Sequence, residues 1–134
     1  MNAVMVDTCV LLDVVTEDQN WFEWSAGALQ EAASKAMLVV NPVIYSELSV
    51  GFDRIEDLEA LLSPDLFDYR PIPREAAFLA GKSFLEYRRR GGAKALPLPD
   101  FFIGAHASVE SLPLITRDAS RFMTYFPRLS LIRP

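Results

Sequence analysis

The stretch Ala3-Val4-Met5-Val6-Asp7-Thr8-Cys9 joins four apolar residues directly to an acid and a hydroxyl side chain. A short apolar run of this kind predicts a buried strand over Ala3 to Val6 that ends where the polar residues begin. The stretch has no basic segment before it and meets an acid after few apolar residues, so it is expected to be neither a signal peptide nor a membrane span. Asp7 is therefore expected at the carboxyl end of a first strand.

Apolar runs alternate with helical patterns along the rest of the chain, which is typical of an α/β sheet. The other strands are predicted near Met37 to Val40, Phe67 to Ile72, Pro113 to Thr116 and Leu129 to Ile132. Helices are predicted over Thr8 to Val15, Trp21 to Ala36, Pro42 to Phe52, Ile55 to Leu62, Arg74 to Arg90 and Asp100 to Val109, with a short helix after Asp118. Gly91-Gly92 should end the fifth helix, and Leu96-Pro97-Leu98-Pro99 should be extended before the sixth.

Length and composition limit the class of protein. A chain of 134 residues with 51% hydrophobic residues is expected to be one domain, residues 1–134, with a substantial core. Its single cysteine, Cys9, can form neither an internal disulfide nor a zinc site, which favours a reducing cytoplasm. The net charge of −5 argues against a broad electrostatic hold on nucleic acid, although cations bound among clustered acids would offset part of it.

Three aspartates are predicted to lie at one edge of the sheet. In right-handed βαβ units, strand carboxyl ends and the amino ends of the following helices share an edge, and ligands bind there. Asp7 ends the first strand, Asp118 follows the fourth, and Asp100 begins the helix that leads into the fourth. Each aspartate taken alone is more simply explained as a helix N-cap, since Asp is among the commonest N-cap residues.

Glu47 is the acid that capping cannot explain. Asn41-Pro42 is a typical helix start, and Glu47 lies about 7.5 Å farther along that helix, within reach of the same edge. It also falls on the apolar stripe of Val43, Ile44 and Leu48, where an acid needs a partner. Taken alone, Glu47 is equally well explained as a buried, hydrogen-bonded acid.

Together the four carboxylates predict a metal site. Unless cations lay among them, they would repel one another and be largely protonated. Ligands that are all carboxylates suit Mg²⁺ or Mn²⁺, and such ions activate water for attack on phosphates. The predicted reaction is phosphodiester hydrolysis.

Four sequence elements in order resemble the PIN-domain family, and within it the VapC-like toxins of bacterial toxin–antitoxin pairs. The elements are Val6-Asp7-Thr8, Glu47 within an early helix, Pro99-Asp100-Phe101-Phe102-Ile103-Gly104-Ala105, and Leu112-Pro113-Leu114-Ile115-Thr116-Arg117-Asp118. The resemblance extends over essentially the whole chain. It implies a three-layer α/β/α fold with a five-stranded parallel sheet of order 3-2-1-4-5.

The resemblance also implies the activity and the site. Asp7, Glu47, Asp100 and Asp118 would be the catalytic acids, with Asp7, Asp100 and Asp118 holding Mg²⁺ or Mn²⁺, and with Thr8 and Thr116 as polar support. RNA would be the substrate, a small antitoxin would occupy the acidic groove, and the chain would form a homodimer with no membrane association. In this family a small polar residue often stands where this chain has Cys9.

Other residues have weaker functional interpretations. Arg117, between Thr116 and Asp118, is a candidate for a substrate phosphate. The basic run Arg88-Arg89-Arg90 with Lys94 is better explained by the helix dipole, since cations are favoured at a helix carboxyl end. His106 is expected to be packed or on the surface rather than paired with a catalytic Cys9. Trp21, Phe22 and Trp24 could belong to the groove, to a homodimer surface or to the core.

Other protein classes fit the residues less well. A response-regulator receiver needs an acid after the third strand, where this chain has Ile72-Pro73-Arg74, and a haloacid-type phosphatase needs two aspartates one residue apart. Two possibilities remain beside the toxin: a PIN nuclease that is not a toxin, and a catalytically silent PIN fold that only binds a partner.

Overall fold

The computed structural model describes residues 2–91 and 98–134, and they form an α/β fold around a five-stranded parallel sheet. The strands are β1 (Ala3–Val6), β2 (Met37–Val40), β3 (Phe67–Tyr69), β4 (Leu114–Ile115) and β5 (Leu131–Ile132). The helices of the described residues are α1 (Thr8–Val15), α2 (Phe22–Ala33), α3 (Pro42–Ser49), α4 (Ile55–Leu61), α5 (Arg74–Arg89), α6 (Leu98–Val109) and α7 (Ser120–Tyr125).

The strand order is β3-β2-β1-β4-β5 and every pairing is parallel, which confirms the predicted fold. The chain moves from β1 outward to β3 and then crosses to β4 on the other side of β1. Because such crossovers are right-handed, this reversal puts α1 to α4 on one face of the sheet and α5 to α7 on the other. The switch point between β1 and β4 is where a ligand site is expected.

The central strands are apolar on both faces because helices cover both. All four residues of β1 are buried, and so are Leu38, Val39 and Val40 of β2. Met5 of β1 pairs with both Val39 of β2 and Leu114 of β4. This continuous apolar centre leaves the polar residues that follow β1 and β4 at the edge of the sheet.

The start of α3 follows the prediction. The side chain of Asn41 accepts a 2.9 Å hydrogen bond from the backbone N–H of Ile44, and Pro42 occupies the first turn. Asn41 is itself fully buried, so this cap fixes the helix against the core. The position of Glu47 is set by this helix.

Several elements are shorter than the sequence predicted. Strand β3 ends at Tyr69 rather than Ile72, because Pro71 and Pro73 have no N–H for a sheet ladder. Helix α3 ends at Ser49 rather than Phe52, and α2 covers Phe22–Ala33 only. Strands β4 and β5 consist of two residues each.

The boundary between α5 and α6 also differs from the prediction. Helix α5 ends at Arg89, and Gly91 follows with a positive φ of 77°, which suits a glycine after a helix. Helix α6 already includes Leu98 and Pro99, which were predicted to be extended, so Asp100 lies within its first turn rather than opening it. Gly92, Lys94 and Leu96-Pro97 lie outside the described residues.

Within the described ranges, 2–91 and 98–134, no helix has the length and apolar character needed to cross a membrane.

Candidate functional site

Asp7 and Thr116 meet where β1 and β4 lie side by side. The Thr116 hydroxyl donates a 2.8 Å hydrogen bond to Oδ2 of Asp7 and accepts one of 3.0 Å from the backbone N–H of Asp118. Thr116 is fully buried and Asp7 is 6% exposed. One hydroxyl therefore fixes the Asp7 carboxylate and the backbone of Asp118 together.

Glu47 reaches the same place from α3. Its Oε1 accepts a 2.6 Å hydrogen bond from the hydroxyl of Thr8, the first residue of α1. Glu47 is half-buried, as its place on the apolar stripe predicted. Its negative charge is close enough to Asp7 to raise the pKa of that carboxyl.

Asp100 and Asp118 are joined by an arginine that was not among the predicted site residues. Arg121 of α7 donates a hydrogen bond to Oδ2 of Asp100, and its Nη2 lies 3.8 Å from Oδ2 of Asp118. The Asp100 side chain is 16% exposed and that of Asp118 is 51% exposed. The two acids thus share one guanidinium at the mouth of the site.

All four acids line a single cleft of about 450 Å³ at the carboxyl edge of the sheet. The cleft is lined by Asp7, Thr8, Cys9, Leu12, Glu47, Val50, Asp100, Arg117, Asp118, Arg121 and Phe122. Within the part of the chain that the structure describes, no three acids, histidines or cysteines are grouped closely enough to surround one ion. The acids share a cleft, with Arg121 between two of them.

Burial dominates the electrostatics of Asp7. Loss of water contact raises the pKa of its carboxyl above the usual value, and Glu47 adds to the rise. Hydrogen bonds from Thr116, from Cys9 and from the backbone of Thr8 oppose it without cancelling it. A buried carboxyl with a raised pKa beside a second acid is typical of a functional site.

Cys9 contacts both Asp7, which follows β1, and Thr116, which follows β4. Its thiol donates a weak hydrogen bond to Oδ2 of Asp7 at 3.4 Å, and its sulfur lies 3.9 Å from the hydroxyl of Thr116. Burial and the charge of Asp7 raise the pKa of the thiol to about 12. The thiol is therefore protonated at neutral pH, and it lacks the thiolate that a nucleophile requires.

Arg117 lines the cleft, but its guanidinium is held by another acid. Its Nε donates to Oδ2 of Asp13 at 2.7 Å and its Nη2 to Oδ1 at 3.0 Å, and the group lies 5.4 Å from the ring centroid of Trp21. Asp13 is 3% exposed and also accepts a 2.7 Å hydrogen bond from Ser25. These bonds give Arg117 a structural partner; that it also binds a substrate phosphate stays a prediction.

The capping explanation does not account for the aspartates at the strand ends. Asp7 stands at the N-cap of α1 but makes no side-chain capping bond. The residue at the N-cap of α7 is Ala119, not Asp118. Their carboxylates are thus not used in capping these helices.

Other candidates lie away from the cleft. His106 is fully buried, so it is a packed histidine. Arg90 directly follows α5 and forms an ion pair with Glu86 of that helix, and Arg88 lies 6.0 Å from the ring centroid of Phe84. Lys94 lies outside the described residues.

The three aromatic residues of the α1–α2 region have different surroundings. Trp21 and Trp24 pack edge to face with centroids 6.4 Å apart, and Trp24 also packs against the core. Phe22 is among the exposed hydrophobic side chains. Of these three residues, Trp21 is the one whose ring packs against Arg117, and Arg117 lines the cleft.

Two further charged residues were missed but could have been found from spacing: Arg121, which lines the cleft, and Asp13, which binds Arg117. Arg121 follows Asp118 by three positions, in the short helix that the sequence predicts directly after that acid. Asp13 follows Val10 by three positions on α1, the same inward placement that identified Glu47. The helix period alone was sufficient to place Asp13 on the buried face of α1.

Comparison with known protein families gives one match. A model of the PIN domain matches residues 4–124, which is most of the chain. A search of curated proteins found no match.

Solved structures with similar folds match nearly the whole chain at low identity. A chain of VapBC2 from Rickettsia felis, bound to a promoter DNA fragment, has a TM-score of 0.75 at 18% identity, over 98% of each chain. A chain of VapBC-1 from nontypeable Haemophilus influenzae has a TM-score of 0.74 at 19% identity, over 98% of this chain and 97% of that one. A chain of FitAcB from Neisseria gonorrhoeae has a TM-score of 0.70 at 20% identity, over 96% of each. At these identities the likeness shows the fold.

Proposed function

Because the chain belongs to the PIN-domain family, we propose that it is a Mg²⁺- or Mn²⁺-dependent endoribonuclease and the toxin of a toxin–antitoxin pair. Residues 1–134 would form one nuclease domain. Its catalytic acids would be Asp7, Glu47, Asp100 and Asp118, and the free thiol of Cys9 fits a reducing cytoplasm.

The meeting of four carboxylates in one cleft supports the nuclease proposal. They come from four separate regions of the sequence, and the cleft lies at the strand ends where ligands bind in parallel α/β sheets. Carboxylate oxygens are the ligands that Mg²⁺ and Mn²⁺ prefer, so Asp7, Asp100 and Asp118 fit such an ion by chemistry. When bound, the ion would lower the pKa of a water molecule and offset charge on the phosphate.

The chain's own residues have separable tasks in this proposal. Thr116 stabilises the ionised form of Asp7, because its hydrogen bond lowers the pKa that burial raises. Thr8 holds one oxygen of Glu47, which leaves Glu47 oriented toward the cleft as an acceptor for the proton of the attacking water. The apolar side chains of Leu12 and Phe122 limit water access around the acids.

Cleavage by purified protein tests the nuclease proposal. Labelled RNA isolated from the host would be incubated with Mn²⁺ or with a chelator, using wild type, Asp7→Asn and Asp100→Asn. Asp65→Asn is the matched control, because Asp65 is exposed and precedes β3 at the opposite edge of the sheet. We expect Mn²⁺-dependent cleavage by wild type and the control only; equal cleavage by all four proteins would refute the catalytic assignment.

Single-stranded DNA of the same sequence forms a second arm of that assay. The preference for RNA rests on the family resemblance, and several of the similar structures are DNA-bound complexes of those proteins. Cleavage of DNA as fast as RNA would make the chain a nuclease of a different specificity.

The toxin role is supported by the kind of protein that has a similar structure. These proteins include VapBC pairs and a toxin–antitoxin complex from Klebsiella pneumoniae. Expression should stop growth of the native host, and co-expression of the adjacent reading frame should restore it. Unaffected growth, with cleavage intact, would indicate a PIN nuclease that is not a toxin.

Light scattering of the purified chain tests the proposed homodimer.

A silent binding module is the second candidate, and one observation favours it. Arg121 already pairs with Asp100, so that acid has a protein partner without any ion. Calorimetric titration with Mn²⁺ separates the two candidates. A protein that binds no Mn²⁺ and cleaves no RNA would be a binding module.

A further inference from the structure

Arg121 is placed to be more than a surface arginine. It comes from α7, lines the acidic cleft, donates to Asp100 and lies 3.8 Å from Asp118. Two of the three aspartates that would hold a divalent ion therefore share one guanidinium. The carboxylates of Glu47 and Asp7 instead accept hydrogen bonds from the hydroxyls of Thr8 and Thr116, respectively.

Within the described lining of the cleft there are two cationic side chains, and they differ in what holds them. Arg117 makes two hydrogen bonds to Asp13, which is buried outside the cleft lining. Arg121 has its partners among the candidate metal ligands themselves. A change in those ligands would therefore act on Arg121 and leave Arg117 in place.

A guanidinium and a divalent ion compete for the same oxygens. An ion bound by Asp100 and Asp118 would take the oxygens that Arg121 contacts, and its double positive charge would repel the guanidinium at short range. The Arg121 side chain is 35% exposed, and α7 is a helix of six residues at the surface. The side chain can therefore turn outward without unfolding the core.

We propose that Arg121 is an exchangeable cation: it neutralises Asp100 and Asp118 in the ion-free protein, and a divalent ion releases it to bind a phosphate of the RNA. This inference rests on the nuclease function proposed above. A released arginine beside the cleft suits a phosphate, because its planar group can make two parallel hydrogen bonds to phosphate oxygens. It also supplies positive charge where the acidic chain otherwise offers little.

Calorimetric titration of Mn²⁺ in the absence of RNA tests the competition. The proteins are wild type, Arg121→Gln, Arg121→Lys and the control Arg128→Gln, whose arginine is exposed and lies outside the cleft lining. We expect Arg121→Gln to bind Mn²⁺ about fivefold more tightly than wild type, since one competing ion pair is removed. Arg121→Lys should fall between the two, and the control should match wild type.

Binding of a labelled single-stranded RNA in the presence of Ca²⁺ tests the second half, with gels to verify that the RNA stays intact. We expect Arg121→Gln to weaken binding and to lower the dependence of log affinity on log salt by about one phosphate contact. If Arg121→Gln binds RNA as tightly as wild type does, the proposal that released Arg121 binds an RNA phosphate is wrong. Thermal melting checks that each variant is folded.

The outcomes separate this inference from the function on which it rests. Mn²⁺ binding by wild type that Arg121→Gln leaves unchanged or weakens would overturn the exchange and leave the nuclease proposal standing. If neither protein binds Mn²⁺, both proposals are wrong. Binding by Arg121→Gln alone would support the competition in its strongest form.

Discussion

The side chains of Thr8 and Glu47, 39 positions apart in the chain, are joined by a 2.6 Å hydrogen bond. The bond links the first residue of α1 to the middle of α3, two helices that pack against each other on one face of the sheet. The acid of α3 is thereby oriented by the residue that directly follows Asp7.

Replacing Thr8 by Val removes the donor to Glu47 while nearly keeping the side-chain shape. We expect the initial rate of RNA cleavage to fall about tenfold, because a misdirected proton acceptor loses its alignment with the attacking water. Stability should fall by about 1 kcal/mol, the usual worth of one hydrogen bond. Thr8→Ser keeps the hydroxyl and should retain most of the rate. Equal rates for Thr8→Val and wild type would contradict a role for this contact.

Asp7→Asn should separate stability from activity. The raised pKa means that folded Asp7 holds its proton more tightly than the unfolded chain does, so ionisation costs stability as pH rises above the ordinary value of 3.8. The metal-free variant should be about 1 kcal/mol more stable than wild type near neutral pH, with a smaller gain near pH 4. Cleavage should fall by at least about 100-fold. Urea unfolding at the two pH values measures the stability, and a cleavage assay measures the activity. If the variant is less stable than wild type at neutral pH, the surrounding hydrogen bonds stabilise the ionised Asp7 more than burial destabilises it.

Gly104 is required by packing between α6 and α7. A Cβ at this position would lie 2.5 Å and 2.6 Å from two ring atoms of Phe126 and 3.0 Å from Phe122. Gly104→Ala should therefore cost about 1–3 kcal/mol of unfolding free energy.

Gly81 provides the matched control for Gly104. It lies within α5, and an added Cβ would have no atom within 4 Å. Gly81→Ala should stabilise the protein by about 0.5–1 kcal/mol, because alanine favours the helix. Thermal unfolding of both variants compares them directly, and shifts of the same sign would be inconsistent with the close approach of Phe126.

Arg117→Gln should destabilise the protein more than it affects catalysis. The change leaves Asp13 buried without its charged partner, which should cost about 2–3 kcal/mol after allowance for the partial exposure of Arg117. The double variant Asp13→Asn, Arg117→Gln removes both charges and should recover much of that loss. If the double variant cleaves RNA at the wild-type rate, Arg117 makes no essential contact with the substrate phosphate. A double variant that is stable but inactive would indicate that Arg117 does contact the phosphate.

His106 should make the free energy of unfolding depend on pH in the mildly acidic range. Burial lowers the pKa of its imidazole below 6.5, although Glu110 opposes this, and Nδ1 lies 3.1 Å from the amide nitrogen of Asn41. Above pH 6.5 the ring is neutral in both states; as pH falls below that value only the unfolded chain gains the proton, so stability falls. His106→Gln should flatten the slope of unfolding free energy with pH between about 7 and 5. An unchanged slope in urea titrations would assign it to other groups.

The sequence sufficed for the parts of the fold that depend on local pattern. The apolar run before Asp7 and the Asn41-Pro42 start each placed an element correctly, because burial and capping act over a few residues. The ends of β3 and α3 were predicted too late in the chain. Two prolines shorten β3, and packing against other elements decides where α3 ends. The start of α6 was wrong because prolines are tolerated in a first helical turn as well as in extended chain.

The site shows the same division. Strand order and helix direction are sufficient to bring Asp7, Asp100 and Asp118 to one edge, and the apolar stripe is sufficient to direct Glu47 inward. Which cation partners which acid depends on side-chain geometry between elements. The pairing of Arg117 with Asp13, and of Arg121 with Asp100, therefore emerged only from the structure.

The hydrogen bond from Thr116 to Asp7 spans 109 positions of the chain. Synthesis runs from the amino end, so Asp7 is made before Thr116. At about 5–20 residues per second, the ribosome needs several seconds or more to supply the second partner after the first. Throughout that interval β1 has no β4 beside it, and the acids lack their common edge. The order of synthesis thus delays the assembled cleft until β4 and Thr116 have been made.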